Sequence, residues 1–214
     1  LYPFLKWSLY NGLVTPVDFL IIHDIKNPKK YIATIGENGL SFNSREIYFG
    51  KGKAYSDTRK YYIKFIQEIF NIFFGKNNEY KAEDVFDIEC RLAKYMHTPE
   101  DANSAIKTYN KMSCKKAKTT YHFDASTFFK EFGINTVDTV NLFNPEYTKH
   151  ALIFLEGKGE KEGKEGANWT SLKWNSYWVY KLLIVMSSFH SRLNAFVFEF
   201  FMVKIRGVNP KKVE

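Results

Sequence analysis

Apolar residues recur three and four apart through Trp178, Leu182, Val185, Phe189, Leu193, Phe196 and Phe200, which is the period of an α-helix. Neither Pro nor Gly interrupts the stretch before Gly207, and Thr170 is suited to cap its start, so one long helix is predicted over residues 170–206. Trp174, Tyr177, Tyr180, Leu183 and Phe201 add to the apolar content, and the second face is almost as apolar as the first, which predicts a central helix covered nearly all round. Lys181, His190, Arg192, Glu199 and Lys204 break it. No uninterrupted run reaches the roughly 18 to 20 apolar residues that a bilayer requires, so the pattern is that of a core helix and not of a membrane span.

Upstream the pattern is shorter and more varied. Residues 1–14 read as an amphipathic segment closed by Asn11-Gly12. Val17–Ile22 and Tyr31–Ile35 are β-branched and aromatic runs, and the Asn27-Pro28 step between them predicts a hairpin turn. Gly36 to Gly39 ends the second strand, and residues 40–48 read as an ordered loop. Ser56 or Asp57 is expected to cap a helix whose core face is Tyr62, Ile63, Ile66, Ile69, Phe70, Phe73 and Phe74, with Gly75 as its stop. A second helix is predicted over 82–96, with Val85, Ile88, Leu92 and Met96 inward. Glu89 lies close to that apolar face, either on its margin or as the buried partner of a Lys or Arg. His97 to Asp101 breaks the helix, and Tyr109–Ser113 reads as a short helical turn. Asp124 caps a short helix through Phe132, stopped by Gly133, and Asn144-Pro145 starts another that runs to Leu155. The fold class is therefore mainly α, a helical lobe with a small β-hairpin near the N-terminus.

Composition adds a large core and a basic surface. Of 214 residues, 45% are hydrophobic and 18% aromatic, enough to exclude global disorder. Lys and Arg number 31 against 23 Asp and Glu, for a net charge of +8. The basic residues are scattered, and Lys111–Lys118 lacks an aromatic platform, so a solvated basic surface is expected and a specific nucleic-acid partner is not. Gly157–Gly166 alternates Gly with Lys and Glu and reads as a flexible loop. Cys90 and Cys114 make no disulfide framework and match no zinc-ribbon spacing, and Cys90 reads as a buried thiol. The chain opens at Leu1 without a signal peptide, and both ends read as cuts through a longer protein. Asn168-Trp169-Thr170 is a glycosylation acceptor only in a secretory pathway.

Candidate chemistry is sparse. A zinc-peptidase helix needs two His one turn apart and a Glu as base. His23, His97, His122, His150 and His190 stand far from one another, and none is followed by Glu. His190 reads as a hydrogen-bonded residue near the core, and His122 and His150 as surface residues. No Gly-x-Ser-x-Gly elbow is present, and Gly50-Lys51-Gly52-Lys53 lacks phosphate-loop spacing and reads as a turn. No catalytic, cofactor-binding or metal-binding residue is nominated.

The order of the motifs is more specific than any one of them. Asn38-Gly39-Leu40, Ser44-Arg45-Glu46-Ile47-Tyr48, Glu89-Cys90-Arg91-Leu92-Ala93 and Thr98-Pro99-Glu100-Asp101-Ala102 come first. Tyr109-Asn110-Lys111-Met112, Asn144-Pro145-Glu146-Tyr147, Leu172-Lys173-Trp174, Phe198-Glu199-Phe200-Phe201 and Arg206-Gly207 follow. In this succession the chain resembles the N-terminal region of the neprilysin and endothelin-converting-enzyme family of zinc metallopeptidases. It departs from the family's Gly-Leu-Pro-x-Arg-Asp-Tyr-Tyr loop, lacks the cysteine pair that often follows it, and carries Gly157–Gly166 where relatives have a compact turn. Gly36-Glu37-Asn38 and Asn194-Ala195-Phe196 repeat strings of the family's zinc- and substrate-binding motifs in the wrong segments, so neither role is carried over.

The resemblance implies that 1–214 is a single N-terminal, non-catalytic lobe. Its parts are a hairpin-containing segment at 1–50, a helical part at 56–156, a flexible insertion at 157–169 and the long central helix at 170–206. It further implies a zinc metalloendopeptidase in the whole protein, acting on short peptides. Zinc and the His-Glu-x-x-His site would lie in a C-terminal catalytic lobe, the expected partner, and this lobe would limit access to the cavity. This chain by itself is then expected to be inactive and to hold no cofactor. Family members are often membrane-anchored ectoenzymes or secreted, which leaves the compartment open. The alternative is a stand-alone helical protein-interaction module that has lost the catalytic half.

Overall fold

The structure is a computed structural model, described over residues 1–157, 171–187, 196, 197 and 199. It opens with helix α1 (Tyr2–Tyr10), followed by an antiparallel hairpin of β1 (Val17–Asp24) and β2 (Asn27–Glu37). A short α2 (Arg45–Phe49) leads into α3 (Lys53–Phe74) and α4 (Ala82–Ala93). Next come α5 (Pro99–Ala102), α6 (Ala105–Thr108), β3 (Lys111–Ser113), α7 (Cys114–Tyr121) and α8 (Ala125–Glu131). The remaining described elements are β4 (Thr139–Leu142), α9 (Pro145–Leu155) and α10 (Leu172–Ser187). The fold is mainly α, as the sequence predicts.

Side-chain caps fix several helix starts by accepting from backbone N–H groups that have no partner inside the helix. Thr98 accepts from Asp101 at 3.2 Å, Ser113 from Lys116 at 3.2 Å, Asp124 from Thr127 at 3.1 Å and Asn144 from Tyr147 at 3.0 Å. Gly75, at φ +79°, ends α3 where the sequence places the stop.

Other boundaries differ from expectation. α3 begins at Lys53, about a turn before Ser56, with Gly52 at its N-cap position. The helix predicted to reach Met96 ends at Ala93 and continues as a turn. The hairpin reverses at Ile25-Lys26, because the Asp24 carboxylate accepts the Lys26 N–H at 3.0 Å and closes the turn itself. Asn27-Pro28 therefore belongs to β2, at a level where β2 has no strand on its other side, so the missing Pro28 N–H leaves no ladder bond open. Part of the expected 40–48 loop is α2, Lys111–Ser113 is a strand and not a helical turn, and β4 was not foreseen. Within α3 the buried face is Tyr62, Phe65, Ile66, Ile69 and Phe70, whereas Phe73 and Phe74 are exposed. The Thr170 cap, most of the predicted helix beyond Ser187, and the 158–169 part of the insertion lie outside the described residues.

Two compact units divide the chain. The first takes the described parts of Leu1–Arg45 and Arg91–Ser171. Its sheet has the order β1-β2-β4-β3, with β2 parallel to β4 and β3 antiparallel to β4. Buried Asn141 joins these strands: its side chain accepts from the Asn110 N–H at 2.6 Å and donates to the Thr108 carbonyl at 3.1 Å and Thr34 Oγ1 at 3.4 Å. Phe19 at the root of β1 packs against Phe128, Phe129 and Phe132 of the α8 region.

The second unit takes Glu46–Cys90 and the described residues from Leu172 on. Here α10 buries Trp174, Tyr177, Tyr180, Lys181 and Leu183, while Leu182 and Met186 are exposed. The sequence pattern puts Leu182 inward and treats Lys181 as an interruption, and the structure reverses them. A carboxylate on α4 draws the lysine in.

Candidate functional site

That carboxylate is Glu89, fully buried on α4. Lys181 donates to its Oε1 at 2.7 Å, and the Tyr48 and Tyr62 hydroxyls donate to it at 3.0 Å. The Lys181 ammonium also lies 5.2 and 5.3 Å from the ring centroids of Tyr177 and Tyr180, and is itself buried. α2, α3, α4 and α10 each contribute a group. A buried charge is tolerated only when paired and hydrogen-bonded, and this one meets both conditions. Cys90, next along, has its thiol pushed up to about 12 by burial, with the Glu89 and Asp87 carboxylates adding to the effect. Cys90 is half-buried rather than buried as the sequence suggests, and a thiol held up in this way is expected to be a poor nucleophile.

Two polar knots organise the first unit. Buried Asp24 accepts from Lys111 Nζ and from the Tyr109 hydroxyl, both at 2.7 Å, so the Tyr-Asn-Lys-Met motif ties β3 to the hairpin turn. The Lys111 hydrogen bond, then that of Tyr109, holds the Asp24 carboxyl down at about 2. Reciprocally, the Asp24 carboxylate accepting its proton pushes the Tyr109 phenol up to about 12. In the second knot, Asn144 at the start of α9 donates to the Tyr95 carbonyl at 2.8 Å and to Glu37, which also accepts the His97 N–H at 2.8 Å. The Tyr147 hydroxyl donates to the Asn38 carbonyl. Glu37 and the Asn38 carbonyl thus bond to the fold's own backbone and side chains.

The described histidines stay apart. His97 Nδ1 is buried 3.3 Å from Glu37 and its ring meets Phe143 edge-on, and His150 stacks on Tyr95 with centroids 3.7 Å apart. His150 is thus half-buried, not the surface residue expected. His122 is exposed at the end of α7, and His190 lies outside the described residues. Among the described residues no group of three or more His, Cys, Asp and Glu side chains is placed to hold a metal ion. No described helix is long and apolar enough to cross a membrane. Sequence reasoning missed Lys181, Tyr62 and Asp24 as hubs. The available signals were Lys181 in an apolar run and Glu89 beside an apolar face, where burial against a Lys or Arg was one of its two readings.

The same arrangement of elements occurs in zinc metalloproteases. A crystal structure of the Mycobacterium tuberculosis zinc metalloprotease Zmp1 with an inhibitor matches at a TM-score of 0.76 and 15% identity, covering 95% of this chain and 30% of that one. Zmp1 in its open state, by electron cryo-microscopy, matches at 0.73 and 17%, over 94% and 30%. PepO from Lactobacillus rhamnosis HN001 matches at 0.64 and 15%, over 87% and 28%. At these identities the likeness establishes the fold. Comparison with curated protein sequences gives no match. The family model for the N-terminal region of peptidase family M13 matches residues 4–214, and the chain belongs to that family. Members of the family are zinc metalloproteases, and this chain spans about 30% of the length of the solved structures it matches.

Proposed function

We propose that this chain is the non-catalytic lobe of an M13 zinc metalloendopeptidase and works as a wall that restricts which peptides reach a cavity. Zinc and the His-Glu-x-x-His segment belong to a C-terminal lobe, and the substrates of the whole protein are short peptides. One observation carries the reading. The side chains of the family motifs, Tyr48, Glu89, Tyr109, Asn110, Lys111, Asn144 and Tyr147, are committed to bonds inside the fold. Residues held in this way build a stiff surface and leave the reacting groups to another segment. Exposed Trp7 and Tyr10 in the first unit, and Phe49, Ile72 and Phe74 in the second, suit surfaces that a further lobe would cover. When bound in that lobe, zinc supplies an activated water, and this chain contributes exclusion and shape.

The test uses the purified chain with zinc and a short fluorogenic peptide. No chelator-sensitive turnover is expected, and activity is expected on co-expression with a chain that carries the His-Glu-x-x-His segment. Chelator-sensitive turnover by this chain alone would overturn the proposal.

A further inference from the structure

The far half of the β1–β2 hairpin differs from the rest of the first unit. β2 meets β4 only around Thr34 and Ile35, whereas its pairing with β1 continues through Ile21↔Ala33 to His23↔Tyr31, so the hairpin runs on past the sheet. At its root Phe19 is held by Phe128, Phe129 and Phe132. Beyond Phe19 apolar side chains reach solvent on both faces, more fully on the Ile21 and Tyr31 face, since Ile32 opposite Ile22 is buried. Leu20 and Ile22 are 48% and 38% exposed on one, Ile21 and Tyr31 are 58% and 66% exposed on the other, and Ile25 in the turn is 54% exposed. Lys26, Lys29 and Lys30 surround the turn and are exposed. Asp24, the only carboxylate between Phe19 and Ala33, is buried and paired with Lys111.

We infer that this hairpin end docks into the surface of an anionic lipid bilayer. Ile21, Ile25 and Tyr31 form an exposed apolar strip that ends in three lysines at the turn, the combination that a charged lipid interface meets with both its acyl boundary and its headgroups. Aliphatic residues and a tyrosine at the tip match the boundary between acyl chains and headgroups, as they do in amphipathic elements that lie in the interface. The three lysines match anionic headgroups, and between Phe19 and Ala33 the one carboxylate, Asp24, is buried and paired with Lys111. The mode is peripheral adhesion, needs no spanning helix, and involves His23 only as a ring stacked on Tyr31 with centroids 4.5 Å apart.

The experiment is flotation of the full chain with phosphatidylcholine vesicles, with and without phosphatidylserine, at low and high salt. Binding is expected only with phosphatidylserine and should weaken as salt rises. Ile21→Ser with Ile25→Ser should abolish flotation, and each of Lys26→Glu, Lys29→Glu and Lys30→Glu should weaken it by about fivefold or more. A Tyr31→Trp reporter should shift its emission to the blue on binding. All these positions are exposed, so circular dichroism should be unchanged. Ile106→Ser and Lys115→Glu with Lys116→Glu, exposed elsewhere, should leave binding as it is. Absent flotation, equal loss in the Lys115/Lys116 variant, or a hairpin-dependent dimer in sedimentation that does not float would each overturn the inference.

Discussion

Glu89 and Lys181 are worth more as a pair than either is alone. Removing the ammonium takes the 2.7 Å ion-pair partner from a carboxylate at zero exposure, so Lys181→Met should cost about 3–5 kcal/mol, read as a lower urea midpoint. Adding Glu89→Leu to that variant should recover most of the loss, because the uncompensated charge is then gone. A double variant no more stable than Lys181→Met would mean that the pair contributes little beyond packing. Cysteine chemistry gives a second check at this scale. Burial raises the Cys90 thiol to about 12, and burial followed by the Asp138 charge raises that of Cys114. Neither thiol is expected to react with an alkylating reagent near pH 8 in the native chain, and both should react in denaturant. Sequence could place Glu89 beside an apolar face but could not choose its role, because its partner lies 92 residues away. Likewise, an isolated Lys in an apolar run reads as an interruption until a carboxylate is known to face it.

At the scale of elements, the Asp24 clasp makes the join between hairpin and β3 sensitive to pH. Asp24 falls from an ordinary 3.8 to about 2 in the fold, so its contribution is complete above about pH 4 and is lost as pH falls toward 2. Tyr109 rises from 10 to about 12, so its contribution is complete below pH 10 and is lost as pH climbs toward 12. Thermal midpoints of wild type and Asp24→Asn should therefore differ most above pH 4 and converge by pH 2, and those of Tyr109→Phe should converge with wild type between 10 and 12. A constant gap across either window would rule out the charged clasp as the cause. Gly50 sets another local limit, since a Cβ there would run into the Glu46 carbonyl and the Tyr55 ring. Gly50→Ala is expected to lower the midpoint by disturbing the join of α2 to α3. Elements with their own punctuation were legible: Asn144-Pro145, Asp124 and Gly75 mark helix ends by local bonds. β3 and β4 have three and four residues, too few for an alternation to register, and they exist because they pair with each other and with β2. The hairpin turn was misplaced for a related reason: Pro28 was taken as the breaker, while the Asp24 side chain makes the turn.

At the scale of the molecule, each unit is assembled from two stretches of chain far apart in sequence, so a pass along the chain sees a helical succession and not its partition. Motif order revealed the family, and several described motif residues, Glu89, Tyr109, Lys111, Asn144 and Tyr147, make bonds between distant stretches. The proposed wall rests on these bonds. Weakening the Glu89 pin by about 3 kcal/mol multiplies locally opened forms of the second unit by about a hundredfold. If this lobe excludes long substrates through stiffness, a peptidase assembled from this chain and a His-Glu-x-x-His segment should answer Lys181→Met with a selective change. Its kcat/KM for a short peptide should stay near that of wild type, while kcat/KM for a long, unstructured one rises several-fold, because loosening the wall admits what it used to reject and leaves the reacting groups alone. A parallel fall for both substrates would mean that the lobe serves only to stabilise its partner, and size selection would then have to be sought in the catalytic segment.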